Sequence, residues 1–219
     1  PLFDMKISDI KTFSIICTLV ENLLRIEKMN IEEIICIGAC VYYGFLRNDV
    51  EVRGSSFWKS ISDFKSGLFY LYRNNRFVSF KNEMKTISST QGTIYFLVEE
   101  NKLTVTEEFA DNCKSYWSYG FLENTDDAIG AYLYANKHNI ILITQSSISN
   151  LSAENGGGLY INVDNILFVS QFRFLRGTIL NEGGFLFALG INHNINIEST
   201  LILNVNALTG GAIFLKQGC

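Results

Sequence analysis

Seven six-residue segments of this chain share one register, and that register leaves few folds open. They are residues 38–43, 66–71, 91–96, 130–135, 156–161, 183–188 and 210–215. Laid on one another, they carry Gly or Ala at the second position and an apolar residue at the fourth. The fifth is Tyr or Phe and the sixth is apolar again. The second positions fall at 39, 67, 92, 131, 157, 184 and 211, giving intervals of 28, 25, 39, 26, 27 and 27. A period of this size is the signature of a stacked repeat fold, in which each unit buries its apolar face only against its neighbours.

Strand side chains alternate between faces, so the second, fourth and sixth positions share a core face and the third and fifth point out. A polar turn and a second apolar strand follow the register strand, as in Asn162-Val163-Asp164-Asn165 before Ile166-Leu167-Phe168-Val169. His138-Asn139 before Ile140-Ile141-Leu142-Ile143 is another case. A third strand precedes the next Gly pair, as in Leu201-Ile202-Leu203-Asn204. Three strands and three turns in about 27 residues make one coil of a parallel β-helix, whereas a propeller blade needs about 40. The expected fold is therefore all-β, a parallel β-helix of seven to eight coils rising about 4.8 Å each. Burying a Leu stabilises by about 1.5–3 kcal/mol. Leu159→Asp and Leu186→Asp are accordingly expected to melt well below the parent, and a variant melting with the parent overturns the register.

Other features modulate this frame. A second ladder runs seven residues before the register's second position, through Asn124, Asn150, Gly177 and Asn204. Asn and Gly accept left-handed backbone, and stacked Asn side chains hydrogen-bond along an axis. The long interval between Gly92 and Ala131 implies a loop insertion at 107–120, whose Trp117 is a candidate binding residue. Residues 1–35 fit less well. Phe13, Ile16, Val20, Leu23 and Leu24 suit one helix face, so the segment reads either as a capping helix or as an irregular first coil, with the β-helix proper at 36–219.

Hydrophobic residues make up 47% of the chain and charged ones 18%, which excludes a disordered polypeptide. The net charge of −4, with no Lys/Arg run, argues against a nucleic-acid surface. The longest apolar run, 34–46, falls short of the ~20 residues that a membrane span needs. Five cysteines form no CxxC pair, and His138 and His193 are the only histidines, so no metal site is expected. Cys36 and Cys40 would lie roughly 13 Å apart on an extended strand, beyond disulfide reach unless the chain bends. The thiols therefore read as buried or free. The chain opens on Pro and closes on Cys219 shortly after the last repeat, as expected for a piece of a longer polypeptide.

Gly210-Gly211-Ala212-Ile213 and Phe121-Leu122-Glu123-Asn124 resemble the GGAI and FxxN repeats of polymorphic outer membrane proteins of chlamydia-like bacteria. They are also similar to repeats in large surface proteins of protists such as ciliates. The resemblance covers about 119–219. It implies a right-handed β-helix, a secreted or surface setting, and an adhesive or structural task.

Parallel β-helices also carry polysaccharide lyases and hydrolases. Asn124-Thr125-Asp126-Asp127 resembles the Asn-Thr-Asp element of polygalacturonases, but the Gly-His-Gly and Arg-Ile-Lys elements of that family are missing, and adjacent strand carboxylates face opposite ways. No catalytic residue and no cofactor are assigned. Asn150-Leu151-Ser152 is a glycosylation sequon. The sharpest candidate site is the register's fifth position, where Tyr42, Tyr70, Tyr95, Tyr134, Tyr160, Phe187 and Phe214 would form an outward aromatic stripe. Such a stripe docks another subunit or a neighbouring domain, or stacks on glycan rings. The expected function is a non-enzymatic structural or adhesive protein of the cell surface or extracellular space, such as a fibre or coat subunit. A glycan-binding module is the alternative, and a lyase or hydrolase comes third.

Overall fold

The computed structural model describes residues 2–3, 5–62, 66–116 and 129–216. They form a parallel β-solenoid without a helix among them. Within one coil Leu133–Lys137, Ile140–Thr144 and Ser147–Asn155 follow each other round the wall. Each pairs in parallel with its equivalent in the next coil, namely Leu159–Ile161, Ile166–Ser170 and Arg173–Glu182. Among the described residues, the sheets built on these strands, here the first, second and third, hold 8, 8 and 11 strands. Inward columns such as Leu103, Ile141, Leu167 and Val105, Ile143, Val169 are at most 1% exposed.

The chain turns on single left-handed residues. All 20 non-glycine residues of positive φ among the described residues fall into three axial columns. Glu21, Arg47, Asn74, Glu100, His138, Asp164 and Asn192 join the first sheet to the second. Lys28, Lys81, Glu107, Gln145, Gln171 and Ser199, with Gly54, join the second to the third. Glu33, Lys59, Thr86, Asn112, Asn150, Arg176 and Asn204 kink the third sheet midway. A left-handed L-residue costs about 1–2 kcal/mol, so each corner must be held by the coils on either side. The fourth corner is glycine in five coils, at Gly92, Gly130, Gly156, Gly183 and Gly210. There a Cβ would run into the next strand: at Gly156 it would lie 2.9 Å from the Leu159 carbonyl oxygen and 3.0 Å from the Tyr160 Cβ.

The kink column corresponds to the expected Asn ladder with one correction. Asn150 and Asn204 are left-handed, but the residue between them is Arg176, not Gly177. Gly177 points inward, where a Cβ would meet the Phe174 ring at 2.9 Å. Asn124 lies outside the described residues. The side-chain ladder that does bond along the axis is elsewhere, just after the first corner. It starts at Asn22, and Asn48, Asn75, Asn101, Asn139 and Asn165 each accept, at Oδ1, bonds from the Asn one coil earlier. Asn75 N and Nδ2 donate to Asn101 Oδ1 at 2.9 and 3.0 Å, and Asn101 N and Nδ2 donate to Asn139 Oδ1 at 3.0 and 3.2 Å. Asn165 N donates to His193 Nδ1 at 3.4 Å, closing the ladder.

Strand pairing also corrects the register. Tyr42 aligns with Phe69 and Tyr43 with Tyr70, while Phe69 aligns with Tyr95 and Tyr70 with Phe96. The first and third segments therefore shift by one residue. Cys40 and Thr93 take the small position, and the intervals become 27, 26, 38, 26, 27 and 27. Of the expected insertion, Phe109–Asp111 and Lys114–Ser115 are ordinary third-sheet strands, and residues 117–128, Trp117 included, lie outside the described residues. The described residues among the first 35 form strands joined by short turns, Lys6–Thr12, Ile16–Val20 and Asn30–Cys36 among them, and no helix. Cys36 and Cys40 are joined by a disulfide, their Cα atoms 5.3 Å apart, because the chain rounds the corner between the third and first sheets there.

Candidate functional site

The aromatic stripe exists, with two substitutions. Tyr43 and Phe96 belong to it, and Tyr42 and Tyr95 do not: both are fully buried inside the coil. Tyr42 hydrogen-bonds Thr18 Oγ1 at 2.5 Å. The column runs Tyr43, Tyr70, Phe96, Tyr134, Tyr160, Phe187, Phe214. Successive ring centroids are 4.5, 5.2, 4.5, 5.4, 4.8 and 5.5 Å apart, with interplanar angles of 4 to 24°. A sugar ring needs an aromatic face, and within the column those faces are covered by one another. Tyr70, Phe96 and Phe187 are 8%, 4% and 4% exposed. The column roofs the glycine corner: the Cβ missing from Gly92 would lie 2.9 Å from the Tyr134 Cβ, and that from Gly210 2.7 Å from the Phe214 Cβ. Its evident work is to seal that corner.

A buried acid was not legible in the sequence. Glu108 is 2% exposed and lies inside the coil. The Ser79 hydroxyl and, at 2.6 Å, the Tyr95 hydroxyl donate to its Oε2, and the Tyr132 hydroxyl donates to its Oε1 at 2.5 Å. Asn82 Nδ2 donates to Ser79 Oγ at 2.8 Å. Burial pushes the Glu108 carboxyl up from the usual carboxylate range, against the three hydroxyls, which favour the anion. The tyrosines are pushed well above the usual phenol value, first by burial and then by the acid beside them. Enclosure keeps substrate from this cluster, which ties three coils together.

At the surface, oxygen and nitrogen atoms of Glu99, Glu100 and His138 lie within 4.8 Å of one another. Both carboxylates already have cations and the imidazole a partner of its own: Lys137 Nζ is 3.0 Å from Glu99, Arg73 Nε 3.3 Å from Glu100, and His138 Nε2 lies 3.2 Å from an Asp164 carboxyl oxygen. Lys137 and Arg73 hold the Glu99 carboxyl below the usual range, Lys137 most strongly. Burial pushes the Cys113 thiol up to about 12, which removes it as a nucleophile. The sequon residue Asn150 is half-buried on the outer wall, and its Nδ2 donates to Asp111 Oδ1 at 2.7 Å. Compared with protein-family models, with curated proteins and with solved structures, the chain has no match.

Proposed function

We propose that this chain is a non-enzymatic structural or adhesive solenoid of a cell surface or extracellular layer, working by end-to-end stacking. The observation that carries the reading is the unbroken parallel stack, whose first and last described coils present strand edges that a further coil, of the same polypeptide or of another, would extend. The strands at one end are Asn194–Glu198, Leu201–Asn206 and Ile213–Lys216. Those at the other are Leu2–Phe3, Lys6–Thr12 and Ile16–Val20, in the same sheet order. Ile195, Ile197, Ile202 and Val205 at one end, and Ile7, Ile15, Ile16 and Leu24 at the other, are only partly buried, although they continue the columns that are sealed in the middle coils. Unpaired edges of this kind template further strands. Because all pairings are parallel, the two ends match head to tail, a contact that propagates rather than closes. The Cys36–Cys40 disulfide fits an oxidising setting.

Sedimentation velocity over a wide concentration range, with electron microscopy of the same samples, tests this. The parent is expected to lengthen into rods as concentration rises, and an Ile202→Lys/Val205→Lys variant with the same circular dichroism to stay single. A parent that remains a monomer throughout overturns the reading.

A further inference from the structure

We infer that the groove between Lys114 and Arg176, on the outer face of the third sheet, binds an acidic oligosaccharide. The groove has a volume of about 340 Å³ and is lined by Lys114, Asn150, Leu151, Ser152, Arg176 and Thr178. The left-handed kink makes it. Along Ser147–Asn155 the side chains of Ile148 and Leu151 point in, so Ser149 and Asn150 are two successive outward residues and Ser152 is the next. Arg173–Glu182 repeats the pattern one coil on, with Arg176 at the kink and Thr178 beyond it. Lys114 pairs with Ser152 and Ser152 with Thr178, so the groove crosses three coils. At about 4.8 Å per coil it is roughly 10 Å long.

Its chemistry is that of an anion site with polyol contacts. Lys114 and Arg176 are exposed and make no ion pair among the described residues, in a chain whose net charge is −4. The nearby acid, Asp111, keeps its charge at the groove's edge, outnumbered by the two cations, and its Oδ1 is held by Ser149 Oγ at 2.6 Å and Asn150 Nδ2 at 2.7 Å. That bond leaves the Asn150 carboxamide oxygen as an acceptor. The Ser152 and Thr178 hydroxyls make no side-chain hydrogen bond among the described residues. Cations at both ends suit carboxylates or sulfates, with the guanidinium able to grip two oxygens at once. The hydroxyls and the carboxamide between them suit sugar hydroxyls. The floor is backbone, since the Leu151 side chain is 1% exposed, so no apolar pocket receives a peptide side chain. The groove is on the side wall and does not depend on what the ends do.

Calorimetric titration with tetragalacturonate and with a heparin-derived tetrasaccharide tests the site and separates carboxylate from sulfate. At least one should bind, more weakly as salt rises. Lys114→Ala/Arg176→Ala should weaken binding at least tenfold without moving the melting temperature, and Lys102→Ala, on the second sheet, should change nothing. No binding of either sugar at millimolar concentration overturns the proposal. So does equal loss in Lys102→Ala, equal binding of uncharged cellotetraose, or tighter binding of an octaglutamate peptide, which would assign the groove to acidic peptides.

Discussion

Asn101→Ala is expected to destabilise the solenoid by roughly 2–6 kcal/mol, because it orphans two buried donors at about 1–3 kcal/mol each. Asn101 Oδ1 accepts both the main-chain N–H and the Nδ2 of Asn75, and its own Nδ2 donates to the Leu71 and Tyr72 carbonyl oxygens at 3.1 and 3.2 Å. Alanine removes the acceptor and that donor together, at a site 1% exposed. Asn22, the exposed first rung, donates to Asn48 Oδ1 at 3.1 Å and supports no earlier coil in the ladder. Asn22→Ala should therefore cost less than about 1 kcal/mol. Urea unfolding of the two variants decides the matter. If both unfold at the same denaturant concentration, the ladder is incidental to stability. A change in the slope for Asn101→Ala would mean that the coils on either side have begun to unfold separately, as expected when one interface in a linear stack is weakened.

The second large effect concerns Glu108. Glu108→Ala leaves the Ser79, Tyr95 and Tyr132 hydroxyls without their acceptor and opens a cavity, so a loss of at least about 3 kcal/mol is expected. Glu108→Gln keeps an acceptor and adds a donor that phenol oxygens can accept. The informative measurement is the pH dependence. The folded-state value of this carboxyl is raised above its unfolded one. Its contribution is thus fully present below the unfolded value, near 4.5, and is lost as pH rises through the folded value. The melting temperature of Glu108→Gln minus that of the parent should grow more positive from pH 4 to pH 8. A constant difference would show that Glu108 titrates alike in the folded and unfolded chains.

The coil was legible because its cause is local: a small residue, an alternating apolar strand and an aromatic recur with each turn of the chain. The register slipped at Tyr42-Tyr43 and Tyr95-Phe96 because both neighbours are aromatic, so pattern alone cannot say which faces inward. Pairing with Phe69 and Tyr70 decides it. Residues 13–24 imitate helix spacing because the left-handed corner at Glu21 interrupts the alternation between the strands on either side of it. The Asn ladder was hidden in turns that read as generically polar, since one Asn per coil carries no local signal of burial. Glu108 is buried only because Tyr95 and Tyr132, 13 and 24 residues away, converge on it. Lys114 and Arg176 come together only through stacking.

The corner columns settle a question that the core leaves open. Away from the Glu108 cluster, inward positions are so uniformly apolar that one coil could sit on another with little loss of burial. The left-handed corners are not interchangeable. Arg47 lies 3.0 Å from Glu21, Lys59 is bonded to Glu33 at 2.5 Å, and Lys81 lies 3.3 Å from Glu107, each pair one coil apart in a single column. Exposed pairs contribute only about 0.2–1 kcal/mol each. A slip by one coil breaks several at once and brings mismatched residues opposite one another, while the apolar columns register almost no change. The corners thus label the coils of an otherwise degenerate stack, and the order of assembly is written in charge on its outside.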